Sequence, residues 1–350
     1  MAKAPISGAV KSRLVPPLTE AEAAALNRCF IRDVCASIEA AAAIVAATPD
    51  ARVSVDRNAR VVGMIAYTPV GAQAAFDGLV PGSFKFIAQR GDGLTARLTN
   101  VAADLLATGY ESVSLMNSDS PTIPPAFIAE AVTHLARPAD DCLAQSVTHL
   151  GRTAEQVAPG GDRHAHAGDR LAIIGADDGG YCLIGLTRPH WRVFEEIAWS
   201  TATVLAQTLQ RAAELRLIVL QTASWYDIDD AASLRRLISE LFGELSDKLS
   251  GESPGGPPGT YPLPQEALNQ QMSKNPPGIH PLGSNASSEK SSSNPPPGEN
   301  SRIHNKANFF AAPATRAWLS EALANGLAAR LGLASSPRSV GQPPHARPRS

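Results

Sequence analysis

The stretch Leu171-Ala172-Ile173-Ile174-Gly175-Ala176-Asp177-Asp178-Gly179-Gly180-Tyr181-Cys182-Leu183-Ile184-Gly185-Leu186 decides the fold. Leu171 to Ile174 and Tyr181 to Leu186 are short apolar runs, and between them lies a Gly179-Gly180 pair behind two acids. Runs of this length bounded by turn residues read as buried strands joined by a tight turn. A strand apolar on both sides needs helices on both faces of its sheet. Working outward, helical and strand patterns alternate. Thr19 and Glu22 make a capping box ahead of Leu26, Phe30, Val34 and Ile38 at helical spacing. Arg60 to Tyr67 is a β-rich run ended by Pro69, and Leu94, Leu98, Val101 and Leu105 mark a helix stopped by Gly109. Glu111 to Met116 reads as a strand, Pro124-Pro125 opens a helix, Ser200 can cap one running to about Leu215, Arg216 to Leu220 is a strand, and Ala231 to Leu245 a last helix. This order predicts an α/β fold with a mostly parallel sheet and helices on both faces. Ligands of such sheets bind outside the carboxyl ends of the strands.

The 350 residues are 44% hydrophobic and 18% charged, with a formal net charge of -2. Without a basic stripe, nucleic acid is not the expected partner, because backbone phosphates need clustered Lys and Arg. No run approaches the roughly 18 apolar residues of a membrane span, and no signal peptide opens the chain, so a cytoplasmic protein is expected. Cys29, Cys35, Cys142 and Cys182 form no C-x-x-C pair and are expected as reduced thiols.

The composition shifts near residues 246–252. The chain beyond holds more than half of the 28 prolines, so 1–247 is expected as the folded domain and 248–350 as a disordered Pro/Gly/Ser-rich tail. Trp318, Leu319, Leu323, Leu327 and Leu331 give that tail one helical pattern, over 316–333, expected as a marginal helix. Residues 140–169 lack periodicity and read as an insertion; His164 and His166 within it are more in keeping with a solvated loop than with a metal site.

Four patches fall where this fold would place chemistry. Lys3 to Leu14 combines Gly8 with Lys11 and Arg13, which suits a polyphosphate, although a solvated basic segment would look similar. Asn117-Ser118-Asp119-Ser120-Pro121-Thr122 follows a strand; Asp119 could hold Mg²⁺ or simply open an Asx-turn. Asp177-Asp178-Gly179-Gly180-Tyr181 presents a carboxylate beside a glycine turn, or is a plain hairpin. Asp227-Ile228-Asp229-Asp230 adds carboxylates at the same edge, or caps the last helix.

Together these patches resemble the rSAM/selenodomain-associated transferase 1 family, formerly a domain of unknown function, which belongs with the nucleotide-diphospho-sugar transferases of glycosyltransferase A type. The family's K-x-P-x-x-G-x-V-K-[ST]-R-L matches Lys3 to Leu14. Its G-[ST]-D-x-P-T-[LI] is similar to Asn117 to Ile123, and its E/D-D-G-G-Y-x-L-I-G-L matches Asp177 to Leu186. Trp199 to Leu209 resembles W-S-T-x-x-V-L-x-Q-T-L, and Asp227 to Asp229 resembles D-[VI]-D. The resemblance covers residues 1 to about 247 and implies a Rossmann-like glycosyltransferase A fold. It also implies a metal-dependent transferase acting on a nucleotide-activated sugar and an acceptor the residues do not name. Mg²⁺ or Mn²⁺ would sit on Asp119 and Asp229, and Asp178 and Asp119 would be the catalytic residues. Lys3, Gly8, Lys11, Arg13, Ser118, Gly179, Gly180 and Tyr181 would contact substrate. Nucleotidylyl transfer with release of pyrophosphate, or a non-catalytic binding protein, are the alternatives.

Three departures stand out. The family has an apolar strand before the first lysine where this chain has Met1-Ala2-Lys3, and a missing central strand would expose two sheet edges. Asn117 stands where the family has Gly. The insertion at 140–169 would lie near the rim of the site.

Overall fold

Among the described residues seven strands carry the fold, and their sides are covered by helices whose apolar stripes the sequence already shows. The computed structural model describes residues 1–48, 61–137, 168–243 and 309–333. In chain order these give β1 (Ala2–Lys3), α1 (Glu20–Ala47), β2 (Met64–Thr68), β3 (Lys85–Ala88), α2 (Gly93–Ala107), β4 (Val113–Met116) and α3 (Pro125–Ala136). Then follow β5 (Arg170–Gly175), β6 (Tyr181–Leu186), α4 (Val204–Glu214), β7 (Ile218–Gln221), α5 (Ala231–Phe242) and α6 (Pro313–Ala322). The 140–169 insertion with its histidines lies almost wholly outside the described residues, as do Cys142, residues 49–60 and 244–308.

One sheet is parallel throughout, in the order β1-β2-β3; the other runs β4-β6-β5-β7. In the second, β5 pairs parallel with β7, and β6 is antiparallel to both β4 and β5. The hairpin read from Leu171 to Leu186 accounts for that reversal. The fold is therefore α/β with helices on both faces. Along β5 the alternation is complete: Leu171 and Ile173 face α2 and α4, whereas Ala172 and Ile174 face α1 and α3. Gly185 in β6 is needed for that packing, because a Cβ there would stand 2.5 Å from Leu135 Cδ1 on α3.

The strand expected to be missing at the start is present but only two residues long. Ala2 pairs with Tyr67 and Lys3 with Thr68, and the Met1 ammonium donates to Met116 O at 2.7 Å, tying β1 to the end of β4. The Gln89 side-chain amide donates to Ala66 O (2.7 Å), also within reach of Ala2 O (3.5 Å). Burial holds the Met1 amino group down at about 6, partly offset by the charge of Asp119.

Helix boundaries follow their chemistry. The Thr19–Glu22 capping box closes in both directions, at 3.2 Å and 2.8 Å. Pro125 opens α3. Ser200 does not cap α4: it has φ 63°, and the helix starts after Thr203.

The largest difference from expectation lies at the far end. Residues 309–333 do not stand off as a marginal helix. They pack in the same compact unit as the domain, where Leu319, Leu327, Leu331 and Leu333 join Leu26 and Phe30 of α1 and Leu234, Leu237 and Leu241 of α5 in one apolar cluster. Arg330 closes a two-pronged ion pair on Glu22, at 2.6 and 2.7 Å. An isolated helix of this length is marginal in water, and its stability comes from packing an apolar face. The groove between α1 and α5 supplies that packing.

Two outcomes follow from this packing. Leu319 is fully buried, so Leu319→Ala lowers unfolding free energy by about 2–5 kcal/mol in urea titration; a loss below about 0.5 kcal/mol would show that the segment does not pack. Arg330 holds Glu22 down at about 2 from 4.5. That contribution is present above the ordinary carboxylate value and is lost as pH falls through about 2. The pair is partly exposed, so the difference in stability between wild type and Glu22→Gln is at most about 1 kcal/mol near pH 7 and vanishes on acidification.

Candidate functional site

The loop at the carboxyl end of β4 and the segment that follows β7 meet the segment after β1, and the meeting point is Lys11. Lys11 has left-handed backbone, φ 51° and ψ 37°, a conformation that costs a non-glycine residue roughly 1–2 kcal/mol. That backbone accompanies a side chain aimed inward, 5% exposed, where its ammonium donates to Ile228 O at 2.6 Å and pairs with Asp119 Oδ1 at 2.9 Å and Asp229 Oδ1 at 3.1 Å. The ammonium lies 5.7 Å from the Phe30 ring centroid. Burial works to lower the Lys11 pKa, but the charges and hydrogen bonds of Asp119 and Asp229 outweigh it, so the pKa is raised and the group stays charged.

The backbone supports the arrangement. Trp225 N donates to Gly175 O and Asp177 N to Trp225 O, both at 2.9 Å, so the segment after β7 runs alongside the extension of β5. Ile228 N then donates to Asp119 O at 2.9 Å. Asp119 N is 3.3 Å from Asn117 Oδ1, an Asx-type contact that the glycine of the family signature could not make. Asp230 caps α5 by accepting from Ser233 N at 2.8 Å, which frees Asp229 to face Lys11. Arg13, 72% exposed, reaches Asp229 Oδ2 at 3.7 Å.

Asp227 is the member the residue pattern did not single out. Its pKa is pushed up to about 6 by burial first, then by the charges of Asp229, Asp178 and Asp119. Those couplings put four carboxylates in one neighbourhood, against the cations Lys11 and Arg13. Its signal was the paired acid in Asp227-Ile228-Asp229.

Other expected residues sit differently. Asp178 Oδ1 accepts from Gly180 N at 2.8 Å, which fixes the turn. Gly179, at φ +87°, lies so close to the next segment that a Cβ would stand 2.1 Å from Ala202 O, so its need for glycine comes from packing on 201–203. Tyr181 is half-buried and lies edge-on to Trp199. Its hydroxyl has no hydrogen-bond partner among the described residues, and burial pushes its pKa up. Lys3 is exposed on β1, Gly8 (φ +75°) lies against Glu20, and Ser118 Oγ is 3.4 Å from Asp119 Oδ1. Lys11 itself is already engaged by carboxylates.

Among the described residues no group of three or more His, Cys, Asp and Glu side chains is arranged to hold a metal. The donors at Lys11 are all oxygens, and Mg²⁺ typically takes one or two carboxylates, with water and phosphate oxygens for the rest. Asp119 and Asp229 fit that second pattern and not a closed protein cage. A separate cavity of about 680 Å³, lined by Tyr110, Glu111, Leu135, Arg170, Arg188 and Trp191 among others, lies at the opposite ends of β4 and β5 and contains none of these acids.

Residues 51–201 match a family described as "Uncharacterized protein conserved in bacteria (DUF2064)". No curated protein matches. Among solved structures, the chain is similar to one from Desulfovibrio desulfuricans G20 described as a "putative nucleotide-diphospho-sugar transferase". The TM-score is 0.48 and the identity 26%, over 69% of this chain and 85% of that one. No helix among the described residues is long and apolar enough to cross a membrane.

The electrostatic heart of the site is testable by a double-mutant cycle. Lys11→Met leaves its carboxylates facing one another and lowers the melting temperature. Asp229→Asn in the same chain recovers part of the loss, with a coupling of about 1 kcal/mol given the exposure of Asp229. Strict additivity would show that the pair does not interact.

Proposed function

We propose that the protein is a transferase acting on a nucleotide-activated sugar, with the diphosphate bound at Asp119 and Asp229 through Mg²⁺ or Mn²⁺. The observation that carries this reading is the Lys11 ammonium, 2.9 and 3.1 Å from those two carboxylates at the carboxyl edge of the sheet. The signature resemblance over Lys3 to Leu14, Asn117 to Ile123 and Asp177 to Leu186 points the same way.

Charge argues for the cation. Asp119, Asp178, Asp227 and Asp229 outnumber Lys11 and Arg13, and a diphosphate brought to that surface alone would be repelled. A bound dication would neutralise the charge developing on the leaving diphosphate. This chain's own residues have narrower tasks. Lys11 holds Asp119 and Asp229 at a fixed separation. Arg13, largely exposed beside Asp229, can swing to a phosphate oxygen. Asp178, oriented by the Gly180 N–H, can take the proton of an acceptor hydroxyl.

Calorimetry on the full chain checks this. Nucleoside diphosphates bind in the presence of Mn²⁺ or Mg²⁺ and much more weakly in EDTA, and Asp119→Asn weakens the metal-dependent part by about tenfold or more. Binding that is the same with and without metal, or unchanged in Asp119→Asn, removes the metal reading. Under turnover a released nucleoside diphosphate identifies sugar transfer, whereas pyrophosphate would mean nucleotidylyl transfer instead.

A further inference from the structure

The helix α6 begins with no cap of its own. Ala312, at its N-terminal boundary, has φ 43° and offers no side-chain acceptor, and Pro313 has no N–H. The first free donors, Ala314 N and Thr315 N, are instead taken by Asp33 Oδ1 at 3.0 Å and Oδ2 at 2.7 Å. Asp33 stands in the middle of α1, 1% exposed, next to the buried apolar side chains of Phe30, Ile31 and Val34. A carboxylate so placed is costly unless it is hydrogen-bonded, and the α6 amide donors meet that need. Neither half is satisfied by its own neighbourhood.

The chain just before α6 touches the site loop. Phe310 N donates to Thr122 O at 3.0 Å, and Ser37 Oγ, one turn along α1 from Asp33, donates to Ile123 O at 3.0 Å. Thr122 and Ile123 are buried and follow Asp119 in the same loop. One side of that loop is thus held by α1 and the 309–333 segment, the other by Ile228 N on Asp119 O.

We infer that residues 309–333 are a clamp that positions the loop carrying Asp119, and that Asp33 is the positioning residue that locks the clamp onto α1. The clamp acts on the order of the loop, so it holds whichever ligand the site takes.

Hydrogen exchange on the full-length protein tests it. In Asp33→Asn one carboxylate oxygen becomes an N–H₂ that cannot accept from a helix amide, so exchange over 117–123 and 312–319 accelerates by about tenfold or more. Amides of β5 and β6 keep their wild-type rates. Phe310→Pro removes the donor to Thr122 together with a ring packed on the α1–α5 cluster, so it is read against Phe310→Ala, which loses the ring and keeps the N–H. Faster exchange over 117–123 in the proline variant than in the alanine one decides the matter if Asp33→Asn fails to fold, and equal rates in the two overturn the clamp. Acceleration at 312–319 with 117–123 unchanged overturns the clamp, as does an equal acceleration everywhere, which would make Asp33 a general stability residue. Nucleotide titration of the same variants is a separate arm. Loosening of 117–123 with no nucleotide bound by wild type would leave the clamp standing and remove the proposed substrate.

Discussion

The Lys11 ammonium is the interaction on which the rest of the site depends. It joins three chain segments far apart in sequence, through Asp119, Asp229 and Ile228 O. Each of those segments has a reason of its own to be near. The loop after β4 is tied to the one after β7 by Ile228 N on Asp119 O, and the latter follows β5 through Trp225. Backbone bonds alone would still leave acids facing one another, with Asp227 already pushed up to about 6 by burial and then by the charges of its neighbours. A buried cation among them turns repulsion into cohesion, and the raised pKa of Lys11 is the same energy seen from the other partner. The left-handed backbone at Lys11 is consistent with that role, since strain of this kind persists where surroundings over-determine it.

Much of this frame was legible in the residues. The hairpin of Leu171 to Leu186, the Thr19 capping box and the proline start of α3 are local signals, and local chemistry fixed them. What was not legible involved length or distance. β3, Lys85–Ala88, is four residues with no alternation to mark it, and β1 is two residues held by partners rather than by propensity. Ser200 looked like a cap, but the 201–203 segment is drawn against the Gly179 turn, and the helix begins after it. Gly179 looked like a ligand contact for the same reason: sequence shows that a Cβ is unwelcome but not which neighbour excludes it.

The C-terminal segment shows where compositional reasoning stops. Averaged over 248–350, proline and glycine dilute the leucines at helical spacing, and composition alone therefore predicts no packed element there. The described part, 309–333, does not have to. Leu234, Leu237 and Leu241 of α5 and Leu26 and Phe30 of α1 form an apolar wall already paid for by their own helices, and the segment needs only to lie on it. Asp33 was invisible for a related reason. Its partners lie some 280 positions away, and an acid within a helical stripe reads from sequence as a solvated face.

The same contacts bear on how an acidic site could serve an anionic ligand. If the Asp119 loop were loose, its carboxylates could relax away from each other and from Lys11, and the local field would fall. Held from behind by Phe310 N and Ser37 Oγ, and in front by Ile228 N, the loop keeps its charge in place. Concentrated, fixed negative charge favours a small hard dication, because such an ion gains most from carboxylates that cannot retreat. Under the proposed reading, order in the loop and affinity for a cation would be one property, set partly by a helix more than 190 residues further along the chain.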